Sequence, residues 1–291
     1  MQWFGGRESN NVEEGSSRGG GSRLAFGGGV VGFIGLLIYL FTGVNPAQLL
    51  SGGSNDATTT QQNTRVTNSG PEGSEKRFAR VILAGTEDVW DSLFRAHNLV
   101  YKHPILHLYS EGVDAEGCGF ASSATGPFYC PANQKVYLDT SFFSEMEQRF
   151  RAPGRAAAAY VIAHEVGHHV QNLLGVSAKM DATRQRLSKI EFNKLSVKLE
   201  LQADFYAGVW AHYEALNHQN NIVINRDDID SALVAAHAIG DDRLQQQYQG
   251  HVEPDSFTHG TSAQRAYWFK KGFDTGDILK GNTFAEGDLE E

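Results

Sequence analysis

The stretch from Pro153 to Gly175 constrains the fold more than any other part of the chain. Pro153 suits a first helical turn, where its missing N–H breaks no bond, Ala156 to Ala159 favour helix, and Gly175 stands where a C-terminal cap ends one. One helix is therefore expected over 153–174. On it, His164 and His168 lie four apart on one face and present two imidazole nitrogens to a single point, the H-E-x-x-H spacing. Zn²⁺ accepts neutral imidazole and carboxylate, and a catalytic site uses three protein ligands so that water holds the fourth corner. Two histidines on one helix thus need a third ligand from elsewhere. Glu165 is placed to take a proton from that water and pass it to a leaving amine. His169 is turned about 100° from His168 and is read as structural.

The third ligand is sought in Leu199 to Tyr213. Apolar residues recur at 192, 195, 199, 206, 210 and 213, a stripe that buries one helix face, while Glu200 and Asp204 stand four apart on its flank. A carboxylate in so apolar a segment is costly unless it is paired or binds metal. Glu200 is the candidate third ligand, and Asp204 the acceptor that fixes the tautomer of a ligand histidine. The bland alternative is two acids on a solvated face near Lys194 and Lys198.

Before the helix, residues 1–23 are polar, rich in Gly and Ser, and read as a disordered cytoplasmic tail. Residues 24–44 are uncharged and mostly apolar, and as a helix span about 31 Å, a transmembrane anchor. A cleaved signal peptide is the competing reading, but no small-x-small site directly follows the run. Arg7, Arg18 and Arg23 precede the run and no Lys or Arg occurs in the 20 residues after it, which places the N-terminus inside and the rest outside. Gly28-x-x-x-Gly32 is a spacing that pairs membrane helices and points to a homo-oligomer. Residues 45–75 read as a flexible linker, and 76–291 as one domain.

Within that domain, a helix is expected over 77–97, an extended segment over 101–109, and a strand over 135–139 that is a candidate edge for binding extended peptide. Helices are also expected over 179–198, 225–242 and 262–273. His237 is read as packed, and His259, in a loop beside Arg265, as a donor to a tetrahedral intermediate. Cys118 and Cys130 either close a short disulfide loop or stand as reduced thiols. The net charge of −9, with no basic patch, argues against nucleic acid as a partner.

Together these residues resemble the neutral zinc metallopeptidases of bacterial inner membranes, the YpfJ-like family. The resemblance is carried by residues 6–13 (Gly-Arg-Glu-Ser-Asn-Asn-Val-Glu), 128–139, 164–171, 200–204, 238–242 and 257–265. It also extends to the H-E-x-x-H … E-x-x-x-D pattern of membrane endopeptidases related to HtpX and the CAAX-processing proteases. It implies an α+β, mostly helical, zincin-like domain with an active-site helix and a small sheet, held in the inner membrane with its catalytic domain periplasmic. One zinc ion on His164, His168 and Glu200, with Glu165 as base, would then hydrolyse peptide or protein substrates. The rival readings are a zinc-stabilised scaffold that captures peptides without cutting them, and a hydrolase of non-peptide amides.

Overall fold

The computed structural model describes residues 1–15, 71–149, 155–217 and 220–285. Eight helices and six strands are found among them. Strand β1 is Val12–Glu14; helix α1 is Pro71–Ala96; β2 is Ile105–Tyr109; β3, Gly112–Ala115, and β4, Gly119–Ser122, form a hairpin; β5 is Phe128–Cys130 and β6 is Lys135–Asp139. The remaining helices are α2 (Phe142–Arg149), α3 (Arg155–Leu173), α4 (Val176–Arg184), α5 (Lys189–Asn217), α6 (Arg226–Ala238), α7 (Asp241–Gln249) and α8 (Ser262–Thr275). The architecture is α+β and mostly helical.

Helix α3 sits at the centre, buried on nearly every side from Ala156 to Gln171. Its four consecutive alanines let neighbouring helices approach closely, and α1, α5 and α6 pack around it. Gly175 takes φ 76, the left-handed conformation that a helix-ending glycine supplies at no steric cost. Pro153 lies outside the described residues. Helix α5 is also buried from Glu200 to Ala211. It crosses α8 at two glycines: a Cβ on Gly208 would meet the Phe269 carbonyl oxygen at 2.0 Å, and one on Gly272 would meet that of Phe205 at 2.0 Å.

The four-stranded sheet runs β1-β2-β6-β5, with β1, β2 and β6 parallel and β5 antiparallel. Leu106 and Leu108 of β2 are buried in the main core, which the sheet shares with α1. A smaller cluster of Tyr109, Ala115, Tyr137 and the Cys118–Cys130 disulfide (Cα–Cα 6.0 Å) fastens the hairpin to β5 and β6. The two cysteines are therefore paired, not free thiols.

Several expectations need correction. Residues 1–15 are not a disordered tail: β1 is a strand of the sheet, Trp3 is 3 % exposed, and the chain's first amine pairs with Asp228. The order comes from specific non-local contacts, which composition does not show. The last residues of the expected linker, 71–75, are already helical. Strand 135–139 is interior, flanked by β2 and β5, so it offers no free edge; β1 and β5 are the edges. The helix expected over 179–198 is broken at 185–188, where Ser188 and Glu191 exchange backbone and side-chain hydrogen bonds as a new N-terminus. Likewise 225–242 is two helices: α6 ends at Ala238, and Asp241 and Asp242 open α7 after Gly240. The apolar run 24–44 and the acidic residues 286–291 lie outside the described residues. Among those described, no helix is long and apolar enough to cross a membrane.

Candidate metal centre

His164 and His168 project from α3 towards Glu200 of α5, and one ligand atom from each falls within 4.8 Å of the other two. His164 Nε2 lies 3.2 Å from Glu200 Oε2, and His168 Nε2 lies 3.4 Å from Glu200 Oε1. A tetrahedral Zn²⁺ with bonds of about 2.0–2.1 Å sets its ligands about 3.3–3.4 Å apart, so these separations are those of a tetrahedron's edges. Two neutral nitrogens and one carboxylate also form a donor set suited to zinc. The residues present fit the ion.

Each histidine is fixed by its other nitrogen. His164 Nδ1 donates to Asp204 Oδ1 at 2.8 Å, which leaves Nε2 for the ligand face. Asp204, wholly buried, also accepts from the Tyr160 hydroxyl at 2.5 Å and, in a two-pronged contact, from Arg265 Nε at 2.8 Å and Nη2 at 2.9 Å. His168 Nδ1 faces Gln171 Oε1 at 2.9 Å, and Gln171 Nε2 in turn donates to the Leu199 carbonyl at 2.7 Å, one residue before Glu200. Ligand orientation is thus tied back to both helices.

The electrostatics follow from burial set against charge. Burial raises the Asp204 carboxyl, but the Arg265 guanidinium and His164 outweigh it and bring the pKa down to about 2. Burial disfavours a charged His164, yet Asp204 and Glu200 raise it to about 10. Glu200 is held well below the usual carboxylate range: burial opposes, and His168 and His164 prevail. Glu165, 8 % exposed, is pushed up by burial, which His164 and His168 partly offset. It lies close enough to His164, His168 and Glu200 for their charges to act on it.

His169 does not join the cluster. Its Nε2 donates to the Lys102 carbonyl at 2.5 Å, Nδ1 accepts from Tyr129 at 3.0 Å, and burial lowers it to about 4, so the ring stays neutral and ties α3 to β5. His237 lies on α6 and is also outside the cluster. His259 is close enough to Glu200 for their charges to be felt mutually. Its loop is held by Asp241, whose Oδ2 accepts the backbone N–H groups of Thr258 (2.7 Å), His259 (2.7 Å) and Gly260 (3.2 Å), while Oδ1 lies 3.2 Å from His259 Nδ1. Asp242 caps the start of α8 at Ser262. Sequence reasoning missed Tyr160, Gln171 and the role of Arg265. Tyr160 stands four before His164 and Gln171 three after His168, so helical spacing holds the signal for both, but Arg265 meets Asp204 only through the tertiary fold.

The sequence profile of the family described as "Putative neutral zinc metallopeptidase" matches residues 1–284. The chain is 48 % identical to "Uncharacterized protein YpfJ" of Escherichia coli (strain K12) over 294 residues, 98 % of this chain and 99 % of the relative. It is 41 % identical to "Uncharacterized protein Rv2575" of Mycobacterium tuberculosis (strain H37Rv) over 220 residues, 73 % of each. No solved structure matches.

Proposed function

Because the chain belongs to the neutral zinc metallopeptidase family, we propose that it is a zinc-dependent endopeptidase with a zincin-like catalytic domain, acting on peptide or protein substrates at the cell envelope. The observation that carries this reading is the convergence of His164, His168 and Glu200, with Glu200 at tetrahedral-edge spacing from each histidine and no fourth His, Cys, Asp or Glu ligand joining them among the described residues. A purely structural zinc site is usually closed by four protein ligands.

When bound, one zinc ion supplies Lewis acidity, drawing the pKa of water towards neutrality and polarising a carbonyl. Glu165 accepts the proton of the attacking water and returns it to the departing amine. Asp204, through Nδ1 of His164, and Gln171, through Nδ1 of His168, keep the two rings oriented. His259, held against Asp241, is the side chain proposed to donate to the oxygen that becomes negative during attack. Contact with a lipid bilayer through 24–44 is part of this proposal and rests on that run's composition.

The test is cleavage of casein or a peptide library by the purified protein, with and without a chelator. Activity is expected to vanish on chelation and to return with Zn²⁺. In the Glu165→Gln protein, zinc content is expected to be unchanged while turnover falls by roughly 10²–10⁴. Peptide capture with no chelator-sensitive cleavage would favour the scaffold reading instead.

A further inference from the structure

The motif at residues 6–13 has no part in the metal site, and its polar residues are spent on another task. Glu87 of α1 is 1 % exposed, and three side chains from the N-terminal segment converge on its carboxylate: Ser9 Oγ at 2.5 Å, Asn11 Nδ2 at 2.8 Å and Arg7 at 3.2 Å. Arg7 also reaches Asp88 at 2.7 Å and the Ala84 carbonyl at 3.0 Å. Glu8 pairs with Arg77 at 2.8 Å, Glu13 with His107 at 2.6 Å and Lys135 at 2.5 Å, and Glu14 with Arg80 at 2.8 Å and Lys76 at 3.1 Å. Between these contacts, β1 runs parallel to β2 with Val12 opposite Leu106 and Glu14 opposite Leu108. Guanidinium groups of Arg155, at the start of the metal-bearing helix α3, and of Arg7 both engage this region: Arg155 lies 6.0 Å from the Trp3 ring and 5.0 Å from that of Phe78.

Residues 1–15 are therefore a part of the catalytic domain, and this bears on the apolar run 24–44 that separates them from α1. A single bilayer crossing by that run would put its two flanks in different compartments, yet the flanks share one sheet and one buried carboxylate network. A bilayer's hydrocarbon core of about 30 Å cannot lie between strands that are hydrogen-bonded. One of the three arginines that favour an inside N-terminus, Arg7, is moreover committed to Glu87 and Asp88. The Cys118–Cys130 disulfide marks the compartment, since such bonds persist in oxidising surroundings.

We infer that residues 1–15 and the catalytic domain lie together on the oxidising face of the membrane, so that the run 24–44 does not serve as a single-pass anchor with its N-terminus inside. The inference is independent of hydrolysis. It is tested on the full chain carrying one added cysteine, Asn10→Cys or Leu279→Cys, both at exposed positions, expressed in a Gram-negative bacterium. Intact spheroplasts are treated with a membrane-impermeant maleimide, before or after lysis. Both variants are expected to label as fully before lysis as after. Protection of Asn10→Cys until lysis, with Leu279→Cys labelled, restores the single crossing and overturns the inference; protection of both overturns the assignment to the oxidising face.

Discussion

At the scale of single residues, the site depends on one buried carboxylate with three partners. Asp204 meets His164, Tyr160 and Arg265 at once, and none of its contacts is with the ligand face. Replacing it with Asn keeps the shape but removes the charge that orients His164 and balances a guanidinium 3 % exposed. Loss of such an outer partner typically costs 10–100-fold in metal affinity, and leaving a buried ion unpaired costs about 3–5 kcal/mol. Asp204→Asn should therefore bind zinc roughly 10–100 times more weakly in competition with a chromophoric chelator, and melt earlier; unchanged affinity would show that His164 needs no such support. The two carboxylates of α5 were legible because acids in an apolar stretch demand an explanation. Arg265 was not, since an arginine 61 residues away carries no local sign of its partner.

At the scale of elements, α5 brings Glu200 and Asp204 to α3 on one face and meets α8, which carries Arg265, on another. The second contact depends on backbone approaching backbone at Gly208 and Gly272, where no rotamer change can relieve an added methyl group. Gly208→Ala should destabilise the fold by about 3 kcal/mol or more, at the upper end of overpacking, and weaken zinc binding through the displaced Arg265. A chemical denaturation midpoint unchanged from the wild type would mean that the helices can separate freely. The same helix carries Glu214, whose carboxyl is buried against α1 and raised to about 7 by that burial and by the nearby charge of Asp88. Its folded pKa exceeds its unfolded value, so its contribution is fully present below about pH 4.5 and is lost as pH rises through 7. Glu214→Gln should match the wild type near pH 4 and exceed it by up to about 3 kcal/mol at pH 8; equal stability at both pH values would exclude a buried, titrating Glu214. The helices carrying this chemistry were readable because their signals are local: Ala-rich propensity, apolar spacing and capping glycine. Strands β1 and β5, three residues each, were not, because pairing with distant segments defines them.

At the scale of the whole molecule, the N-terminal 15 residues act as a strap joining the sheet, α1 and the start of α3. Polar, Gly- and Ser-bearing sequence reads as disorder by composition, and here the reading fails because the polar groups have fixed partners on a surface that composition cannot see. Removing residues 1–15 exposes the apolar seat of Trp3 and takes from Glu87 three side-chain donors, Arg7, Ser9 and Asn11, leaving His103 Nδ1 at 3.7 Å from its carboxylate. Deleting the partners of a buried charge costs about 3–5 kcal/mol, which for a domain of this size lowers Tm by roughly 6–20 °C. The loss of charge balance can be separated from the loss of packing. In the truncated protein, Glu87→Gln removes the stranded carboxylate and should recover part of the lost Tm, whereas in the full chain the same change removes the acceptor for Arg7 and should lower it. Opposite signs in the two backgrounds, read by calorimetry, are the expected outcome. The same sign in both would mean that the strap is held by Trp3 and strand pairing alone, with Glu87 a bystander.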